Sequence, residues 1–283
     1  MGPRRVHAHR VRDTDCVQFL QWALPRLHLH WPGFRKVRGV VCKRIARRLR
    51  ALGVRDVDAY RAILARDPAE WRALDAMCAI PVSRFWRDRA VFAALERSAL
   101  PALAQDAIDG GRDALECWSA GCAGGEEPYT LAMLWHLRLR PRFPRLTLHV
   151  LATDIEPQLL ERAARGCYRA SSLKELPPEL RGEAFERSGE HLCVGSALRA
   201  GVEFARQDIR AEPPARRFDL ILCRNLVLTY FEPGLRVEVM QRIVGCLRPG
   251  GALVIGLHEE LPEALENLEP WTGVRAIYRK AGA

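Results

Sequence analysis

Apolar residues recur at two different spacings along the chain, and the spacing changes near residue 115. Before that point they follow the three- and four-residue intervals of amphipathic helices, so residues 15–98 are predicted to be helical throughout. After it, short apolar runs alternate with amphipathic stretches, as strands and helices do in turn. The helical segments we predict in the first part are 15–27, 35–52, 57–66 and 67–80, the last with an Asp67-Pro68 start signal.

The second part predicts a doubly wound, mostly parallel α/β sheet, because short apolar strands alternate with amphipathic helices. The expected strands are 115–120, 147–155, 201–209, 218–225, 251–259 and 274–280. The expected helices are 127–139, 157–166 and 234–247, the last stopped by Arg248-Pro249-Gly250-Gly251. The last two strands lack a long helix between them and are free to pair antiparallel.

These patterns divide the chain into three parts. We predict a helical N-terminal domain over residues 1–88, a linker helix over 89–114 and a catalytic domain over 115–283. Residues 171–200 interrupt the alternation and look like a small insertion, which we bound at 171–204.

Charge separates the same parts. The 283-residue chain has a formal net charge of +10, whereas residues 1–87 alone hold 19 Lys and Arg against 7 Asp and Glu, a charge of +12. The remainder is therefore near −2. A basic first part joined to a near-neutral second part indicates that one recruits an acidic partner and the other performs chemistry.

One basic helix concentrates this charge. In RKVRGVVCKRIARRLRAL, apolar residues recur at helical spacing, while cations fill another face of the same helix. That face is either an ordinary solvated surface or the docking site of an acidic protein. The docking hypothesis assigns four residues: Lys36, Lys43, Arg47 and Arg50.

Composition excludes several other classes. No apolar run approaches the roughly 20 residues that cross a bilayer, and the basic N-terminus has no apolar core of a secretory signal. The nine cysteines form no CxxC pair and lie mostly within apolar patterns. We therefore expect a soluble, cytoplasmic protein with reduced thiols and no bound metal.

The stretch CWSAGCAGGEEPYTLAMLW (117–135) places a glycine turn between a strand and a helix, followed by Glu126 and Glu127. The turn matches neither usual phosphate-binding pattern, and it lacks the lysine that a triphosphate requires. Acidic residues also end the next two strands, at Asp154 and Asp208. Acidic strand ends suit ribose hydroxyls, an adenine amine and a positively charged tail. S-adenosylmethionine combines all three features.

The motifs WSAGCAGGEEPYTLAM, ATDI, FDLILCRN, LRPGGALVIG, IARRLRALGV and VSRFWRD together resemble those of the chemotaxis-receptor methyltransferases of the CheR type. The resemblance covers residues 17 to about 279. It implies a class I methyltransferase sheet with a small antiparallel β insertion, preceded by an all-α domain. It also implies methyl transfer from S-adenosylmethionine to glutamate side chains of a chemoreceptor.

The resemblance implies roles for individual residues as well. Arg87 corresponds to the active-site arginine, which would hold the acceptor carboxylate, and Tyr230 would donate a hydrogen bond to it. The alternative for each residue is a purely structural role, in which Arg87 pairs with Asp88 or a helix end and Tyr230 is a half-buried aromatic. Tyr230 follows Asn225 by five residues, one more than the family usually has. The predicted cofactor-binding residues are Ser83, Arg87, Ala120, Gly121, Glu127, Asp154, Asp208, Ile209, Arg224 and Asn225.

Three rival functions stay open. A nucleic-acid methyltransferase would explain the basic N-terminus, but its common Asn/Asp-Pro-Pro-aromatic motif is replaced here by CRNLVL. A methyltransferase for a small molecule is compatible with the core but leaves the basic helix unexplained, and the short insertion leaves open a protein acceptor other than a chemoreceptor. A non-catalytic cofactor sensor is the third possibility, against which Arg87, Glu127 and Asp154 count.

Overall fold

A computed structural model of the chain describes residues 12–282. They form two compact units, of which the first holds the chain up to Ile80 together with Thr229–Pro233, and the second holds the rest from Pro81. The first unit therefore ends before the predicted boundary at residue 88. The reason is that Phe85 and Trp86 are buried in the second unit, where their amides donate to the Ser172 carbonyl and Thr130 Oγ1.

The first unit is all-helical, as the spacing of apolar residues predicts. Its core contains Phe19, Ile45, Tyr60 and Leu74, each fully buried. Its helices are α1 Asp13–Ala23, α2 Trp31–Phe34, α3 Arg38–Leu52, α4 Val57–Leu64 and α5 Pro68–Cys78, with a 3-10 turn at Leu24–Leu27.

The start of α5 confirms the Asp67-Pro68 signal, because the Asp67 carboxylate accepts a hydrogen bond from Ala69 N over 2.8 Å. The prediction of continuous helix over 15–98 is wrong for residues 79–88, which are irregular. Pro81 lacks an amide hydrogen and disfavours helix at the residue before it, so the helical pattern cannot pass through this point.

The second unit combines a sheet with helices. Its strands are β1 Ala114–Ala120, β2 Thr147–Asp154, β3 Cys167–Arg169, β4 Phe185–Ser188, β5 His191–Val194, β6 Val202–Arg206, β7 Phe218–Leu222, β8 Leu247–Val254, β9 Leu268–Pro270 and β10 Ile277–Lys280. The remaining helices of the chain are α6 Arg89–Ala94, α7 Leu100–Asp109, α8 Glu126–Leu134, α9 Pro157–Arg165, α10 Pro178–Ala184, α11 Ser196–Arg199, α12 Val227–Tyr230 and α13 Pro233–Gly245. A π-helical turn, Leu95–Ala99, joins α6 to α7, so the predicted linker is one continuous helical run as far as Asp109, and its last residue, Ala114, begins β1.

Seven strands form one sheet in the order β6-β2-β1-β7-β8-β10-β9. The first five run parallel, and β10 pairs antiparallel with both β8 and β9. This confirms the doubly wound, mostly parallel sheet. Strand β8 begins at Leu247, so the Pro-Gly-Gly run lies inside the strand rather than ending a helix.

The insertion is a separate three-stranded antiparallel sheet in the order β3-β5-β4. It starts with Cys167, four residues before the predicted insertion, and its last helix ends at Arg199. Tyr168 of β3 is buried, and its hydroxyl donates to the Gly124 carbonyl over 2.7 Å. The insertion is therefore attached to the glycine turn.

The cysteines divide into two kinds. Cys16 is bonded to Cys42 and Cys167 to Cys193, so the expectation of reduced thiols does not hold for these four. The five free cysteines of the chain are all buried. Across residues 12–282, no helix has both the length and the apolar character that a membrane span requires.

Candidate active site

The carboxyl ends of three neighbouring strands define the candidate site. Ala120 of β1 lies opposite Thr153 of β2, and Ser119 lies opposite Leu222 of β7. Strand β2, which follows β1 in sequence, lies on one side of β1, and β7 lies on the other side. The order of the strands in the sheet therefore reverses at β1. Ligands of doubly wound sheets bind at this reversal, beyond the strand ends.

The glycine turn between β1 and α8 takes its shape from three residues with positive φ. Gly121 has φ of 80°, Ala123 of 48° and Gly125 of 88°. A Cβ on Gly125 would lie 2.8 Å from that of Ala163, so only glycine fits there. A Cβ on Gly121 would lie 2.4 Å from Leu226 Cδ2, so the turn also approaches the segment after β7 closely.

Asp154 at the end of β2 faces this turn. Its carboxylate accepts hydrogen bonds from Ala123 N over 2.8 Å and from Glu156 N over 3.0 Å. Burial raises the pKa of Asp154, although its backbone hydrogen bonds act in the opposite direction. Each carboxylate oxygen has two lone pairs, so the group can still accept hydrogen bonds from a ligand.

Glu127 is linked to the loop after β7. Its carboxylate accepts from Ser119 Oγ over 2.7 Å and from the Arg224 guanidinium over 2.9 Å. Arg224 also donates to Asp88 Oδ2 over 2.7 Å and to the Arg87 carbonyl over 2.8 Å. Since the Arg224 side chain is only 3% exposed, it acts as a bridge between two segments and contributes no open surface.

The loop that carries Arg87 is held in an unusual conformation. Trp86 and Asp88, on either side of it, have φ of 61° and 65°. A bulky residue such as Trp adopts positive φ only when its surroundings impose it, and such strain clusters at functional sites. The Arg87 guanidinium donates to the Val82 carbonyl over 2.8 Å. Within residues 12–282 no carboxylate lies at ion-pair distance from it, since Asp88 pairs with Arg224 instead.

Asn225 follows Arg224 and also has positive φ, 53°. Its amide donates to Glu259 Oε2 over 2.9 Å, and the Gly256 amide donates to the same oxygen over 2.7 Å. Glu259 therefore joins the loop after β7 to the loop after β8. The sequence analysis did not identify Glu259, because no local pattern distinguishes it from its neighbour Glu260.

Asp208 and Ile209 lie in the loop after β6, both half-buried. The Asp208 carboxylate accepts hydrogen bonds from the Arg210 amide and from two guanidinium nitrogens of Arg210 over 2.9 to 3.1 Å. Burial alone would raise the pKa of Asp208, but these hydrogen bonds and the charge of Arg210 leave it lowered. Its role at the adenine therefore stays a prediction, because its main partner is internal.

Tyr230 belongs to the first unit, with Phe34 as its ring neighbour at 5.0 Å between centroids. Ser83 lies half-buried in the irregular loop before Arg87, and Ala120 is buried at the end of β1.

Glu126, the first of the two glutamates, is 1% exposed and pairs with Arg162 of α9 over 2.5 Å. Glu126 therefore supports the turn, whereas Glu127 is held by Ser119 and Arg224.

These groups fit S-adenosylmethionine. The glycine turn, Glu127 and Asp154 share one edge, and both acids retain lone pairs for ribose hydroxyls or an ammonium group. No His, Cys, Asp or Glu cluster suited to a metal ion occurs among residues 12–282. Carboxylates beside a glycine turn suit an organic cofactor with hydroxyls and positive charge.

Comparison with known proteins gives the same class. The family model "CheR methyltransferase, SAM binding domain" matches residues 81–276, and "CheR methyltransferase, all-alpha domain" matches residues 38–75. A chemotaxis protein methyltransferase of Listeria monocytogenes is 37% identical over 66% of this chain and 68% of its own length. A probable chemotaxis protein methyltransferase of Rhizobium etli is 31% identical over 78% of this chain and 84% of its own.

A larger relative, described as an uncharacterized 104.1 kDa protein of Rhodobacter capsulatus, is 35% identical. The match covers 85% of this chain but only 25% of that protein. Among solved structures, the N-methyltransferase NodS of Bradyrhizobium japonicum with S-adenosyl-L-homocysteine has a TM-score of 0.37 at 16% identity, over 69% of this chain and 91% of that one.

The fold and the site define an S-adenosylmethionine-dependent methyltransferase with a class I sheet and an all-α N-terminal part. Within that class, the chain belongs to the CheR methyltransferase family.

Proposed function

We propose that this enzyme transfers the methyl group of S-adenosylmethionine to glutamate carboxylates on an acidic helical protein, such as the cytoplasmic region of a chemoreceptor. The observation that carries this proposal is the environment of Arg87. It is a half-exposed guanidinium in a strained loop, with a carbonyl and no carboxylate as its described partner. Such a group can bind an incoming carboxylate through two hydrogen bonds.

When bound, S-adenosylmethionine supplies a methyl group on a positively charged sulfur, so that the carboxylate oxygen forms the new C–O bond while the electron pair of the S–C bond stays on sulfur. A glutamate carboxylate has an ordinary pKa of about 4.3 and is ionised at pH 7, so the enzyme needs no general base. Its task is to place the oxygen in line with the methyl group. We assign Arg87 to hold the carboxylate and Tyr230 to donate a hydrogen bond to it.

The cofactor contacts follow from the strand ends. Asp154 is assigned to the ribose hydroxyls, because its carboxylate lies beside the glycine turn with acceptor capacity to spare. Glu127 is assigned to the positive end of the cofactor. Arg224 is assigned to hold Glu127 and the Arg87 loop in place, which is a positioning role and differs from direct cofactor contact.

The outer face of α3 supports a protein acceptor. The apolar face of α3 is buried and consists of Val41, Ile45 and Leu49. The opposite face is exposed and carries the four cations Lys36, which lies just before the helix, Lys43, Arg47 and Arg50. None of the four cations pairs with a carboxylate among residues 12–282. A surface of this kind gains attraction from an acidic helical protein, and the family relatives named for chemotaxis favour a receptor as that protein.

The test is a methyl-transfer assay with tritiated S-adenosylmethionine on lysate of the source organism, with the Arg87→Ala enzyme as matched control. We expect labelled protein whose label is released as methanol by base, because carboxyl esters hydrolyse and N-methyl groups do not. Label that resists base, or that nuclease rather than protease removes, would contradict the proposal. Label found only on small molecules would indicate a different acceptor class.

A further inference from the structure

The segment that carries Tyr230 is built into the first unit of the molecule. Two backbone hydrogen bonds join it to the chain before α2. His30 N donates to the Tyr230 carbonyl over 2.7 Å, and Glu232 N donates to the His28 carbonyl over 3.0 Å. The two segments therefore pair like short antiparallel strands.

The centre of this pairing is an antiparallel β-bridge between Leu29 and Phe231, and each of these residues is only 6% exposed. A pair of side chains also joins the two segments. His28 has φ of 56°, and its Nδ1 lies 2.6 Å from Glu232 Oε1. A positive φ on a residue other than glycine is uncommon, so the surroundings hold the backbone at His28 in this turn.

Gly33 in α2 permits a close approach between the two segments. A Cβ at this position would lie 2.1 Å from the Thr229 carbonyl oxygen and 3.3 Å from Tyr230 Cδ1. The obstacle is backbone, which cannot rotate away as a long side chain can. Beside it, the Phe34 ring packs on the Tyr230 ring. Residues 28–34, which we call the clasp, thus contact both the backbone and the ring of the Tyr230 segment.

We infer that the clasp positions Tyr230 for methyl transfer and that Gly33 is a positioning residue for the reaction. This inference rests on the proposed function, in which Tyr230 donates a hydrogen bond to the acceptor carboxylate. Gly33 touches no reactant. Because Gly33 has no side chain, the Thr229 carbonyl can lie against it. The position of Tyr230, the next residue, depends on this contact.

The inference gives the first unit a second task, separable from docking. Cations on the outer face of α3 bear on acceptor binding and hence on KM. The clasp bears on the placement of a phenol and hence on kcat, because small displacements of a catalytic group lower the rate of the chemical step.

The primary variant is Gly33→Ala in the full chain. We assay it with tritiated S-adenosylmethionine and a saturating recombinant cytoplasmic fragment of a chemoreceptor that retains its methyl-accepting glutamates. The expected kcat falls about 10- to 100-fold, while calorimetry gives cofactor affinity within about twofold of the parent because the clasp lies outside the glycine turn. The matched control is Gly39→Ala, since a Cβ there meets nothing within 4 Å and should leave kcat unchanged.

A double-mutant cycle separates positioning from general damage. If the clasp acts through the phenol, Gly33→Ala lowers kcat in the parent but has little further effect in the Tyr230→Phe background. Glu232→Gln weakens the clasp through a side chain alone, and it replaces Gly33→Ala in the cycle should the latter fail to fold.

Hydrogen exchange gives a readout that needs no acceptor. We expect the amides of His30 and Glu232, which make the two clasp hydrogen bonds, to exchange faster in Gly33→Ala than in Gly39→Ala. Parent-like exchange at both amides would overturn the inference, and so would parent-like kcat or additive effects in the cycle. If the parent enzyme itself leaves the receptor fragment unlabelled, the proposed function fails, and the exchange rates still decide whether the clasp exists.

Discussion

The loop after β7 and the loop before α6 each place one arginine at the candidate site, in opposite surroundings. Arg224 is nearly inaccessible, and it donates to Glu127, Asp88 and the Arg87 carbonyl. Arg87 is half-exposed, and its described partner is one carbonyl. The sequence resemblance groups both as cofactor-binding residues. Their surroundings separate them, because an arginine with its donors used internally builds the site, and one with free donors can bind a ligand.

The same contrast recurs along α3. Arg44 donates to the Met77 and Ala79 carbonyls, and Arg48 forms an ion pair with the buried Glu70 at 2.6 Å. The alternate face carries exposed cations without such partners. Charge count alone therefore does not identify a docking surface. What matters is which cations the fold has already satisfied.

The largest expected effect is on stability, from Arg224→Ala. Removing this guanidinium leaves the Glu127 and Asp88 carboxylates without their shared partner, at a cost of about 3–5 kcal/mol in the free energy of unfolding. Urea denaturation measures it, with the exposed Arg97→Ala as control, which should change stability by less than about 0.5 kcal/mol. A loss for Arg224→Ala as small as that of the control would remove the distinction between the two arginines.

Asp154→Ala is next in size and acts on the cofactor. Losing its acceptor oxygens should weaken binding of S-adenosylmethionine and its demethylated product by about 5- to 150-fold, or roughly 1–3 kcal/mol. Burial raises the pKa of Asp154, so its carboxylate is protonated at a higher pH than that of an ordinary aspartate, whose pKa is about 3.9. As the solution is acidified, the parent should therefore begin to lose cofactor affinity at this higher pH. Calorimetry from pH 7 to 4 reads both effects, and Glu161→Ala on exposed α9 is the control. Unchanged affinity in Asp154→Ala would place the ribose elsewhere.

Glu70→Gln tests a partnered charge in the first unit. Hydrogen bonds from Arg48, and also from Tyr60, hold the pKa of Glu70 below its usual value despite burial. A lowered pKa in the folded state contributes stability that is present above the unfolded value of about 4.3 and is lost as pH falls through the folded pKa. The variant should therefore be less stable than the parent by about 1–3 kcal/mol at pH 7. That difference should shrink towards pH 3 in thermal melts, whereas a difference independent of pH would contradict the assignment.

The smallest effect should come from the exposed face of α3. Changing all four cations, Lys36, Lys43, Arg47 and Arg50, to glutamine should raise KM for a protein acceptor roughly 5- to 10-fold at low salt. This estimate takes about 0.3 kcal/mol of binding free energy for the exposed ion pair that each cation would form with the acceptor. The effect should fade at high salt, as screening removes the attraction. A variant with the same charge change elsewhere, at Arg97, Arg145, Arg165 and Arg275, should keep the parent KM. Equal KM values for the two variants would make the face an ordinary solvated surface.

The sequence predicts the order of strands and helices because apolar spacing is a local signal, and the sheet follows from it. The short strand β9, Leu268–Pro270, escapes prediction because three residues ending in proline show no alternation. The bridge from Glu127 to Arg224 joins residues 97 apart, and the disulfides join cysteines 26 apart, so neither has a local pattern. Motif resemblance names Arg87 and Arg224, but only packing separates the half-exposed arginine, which we propose binds the acceptor, from the buried one.

The most direct test of this separation is calorimetry and methyl transfer on the same preparation of Arg87→Ala. Arg87 is assigned to the acceptor carboxylate, so the variant should bind S-adenosylmethionine within a few-fold of the parent while kcat/KM for the protein acceptor falls by about 100-fold, near 2.7 kcal/mol. Stability in urea should stay close to that of the parent, in contrast to Arg224→Ala. Equal losses of cofactor affinity and methyl transfer would make Arg87 a cofactor residue and contradict the account.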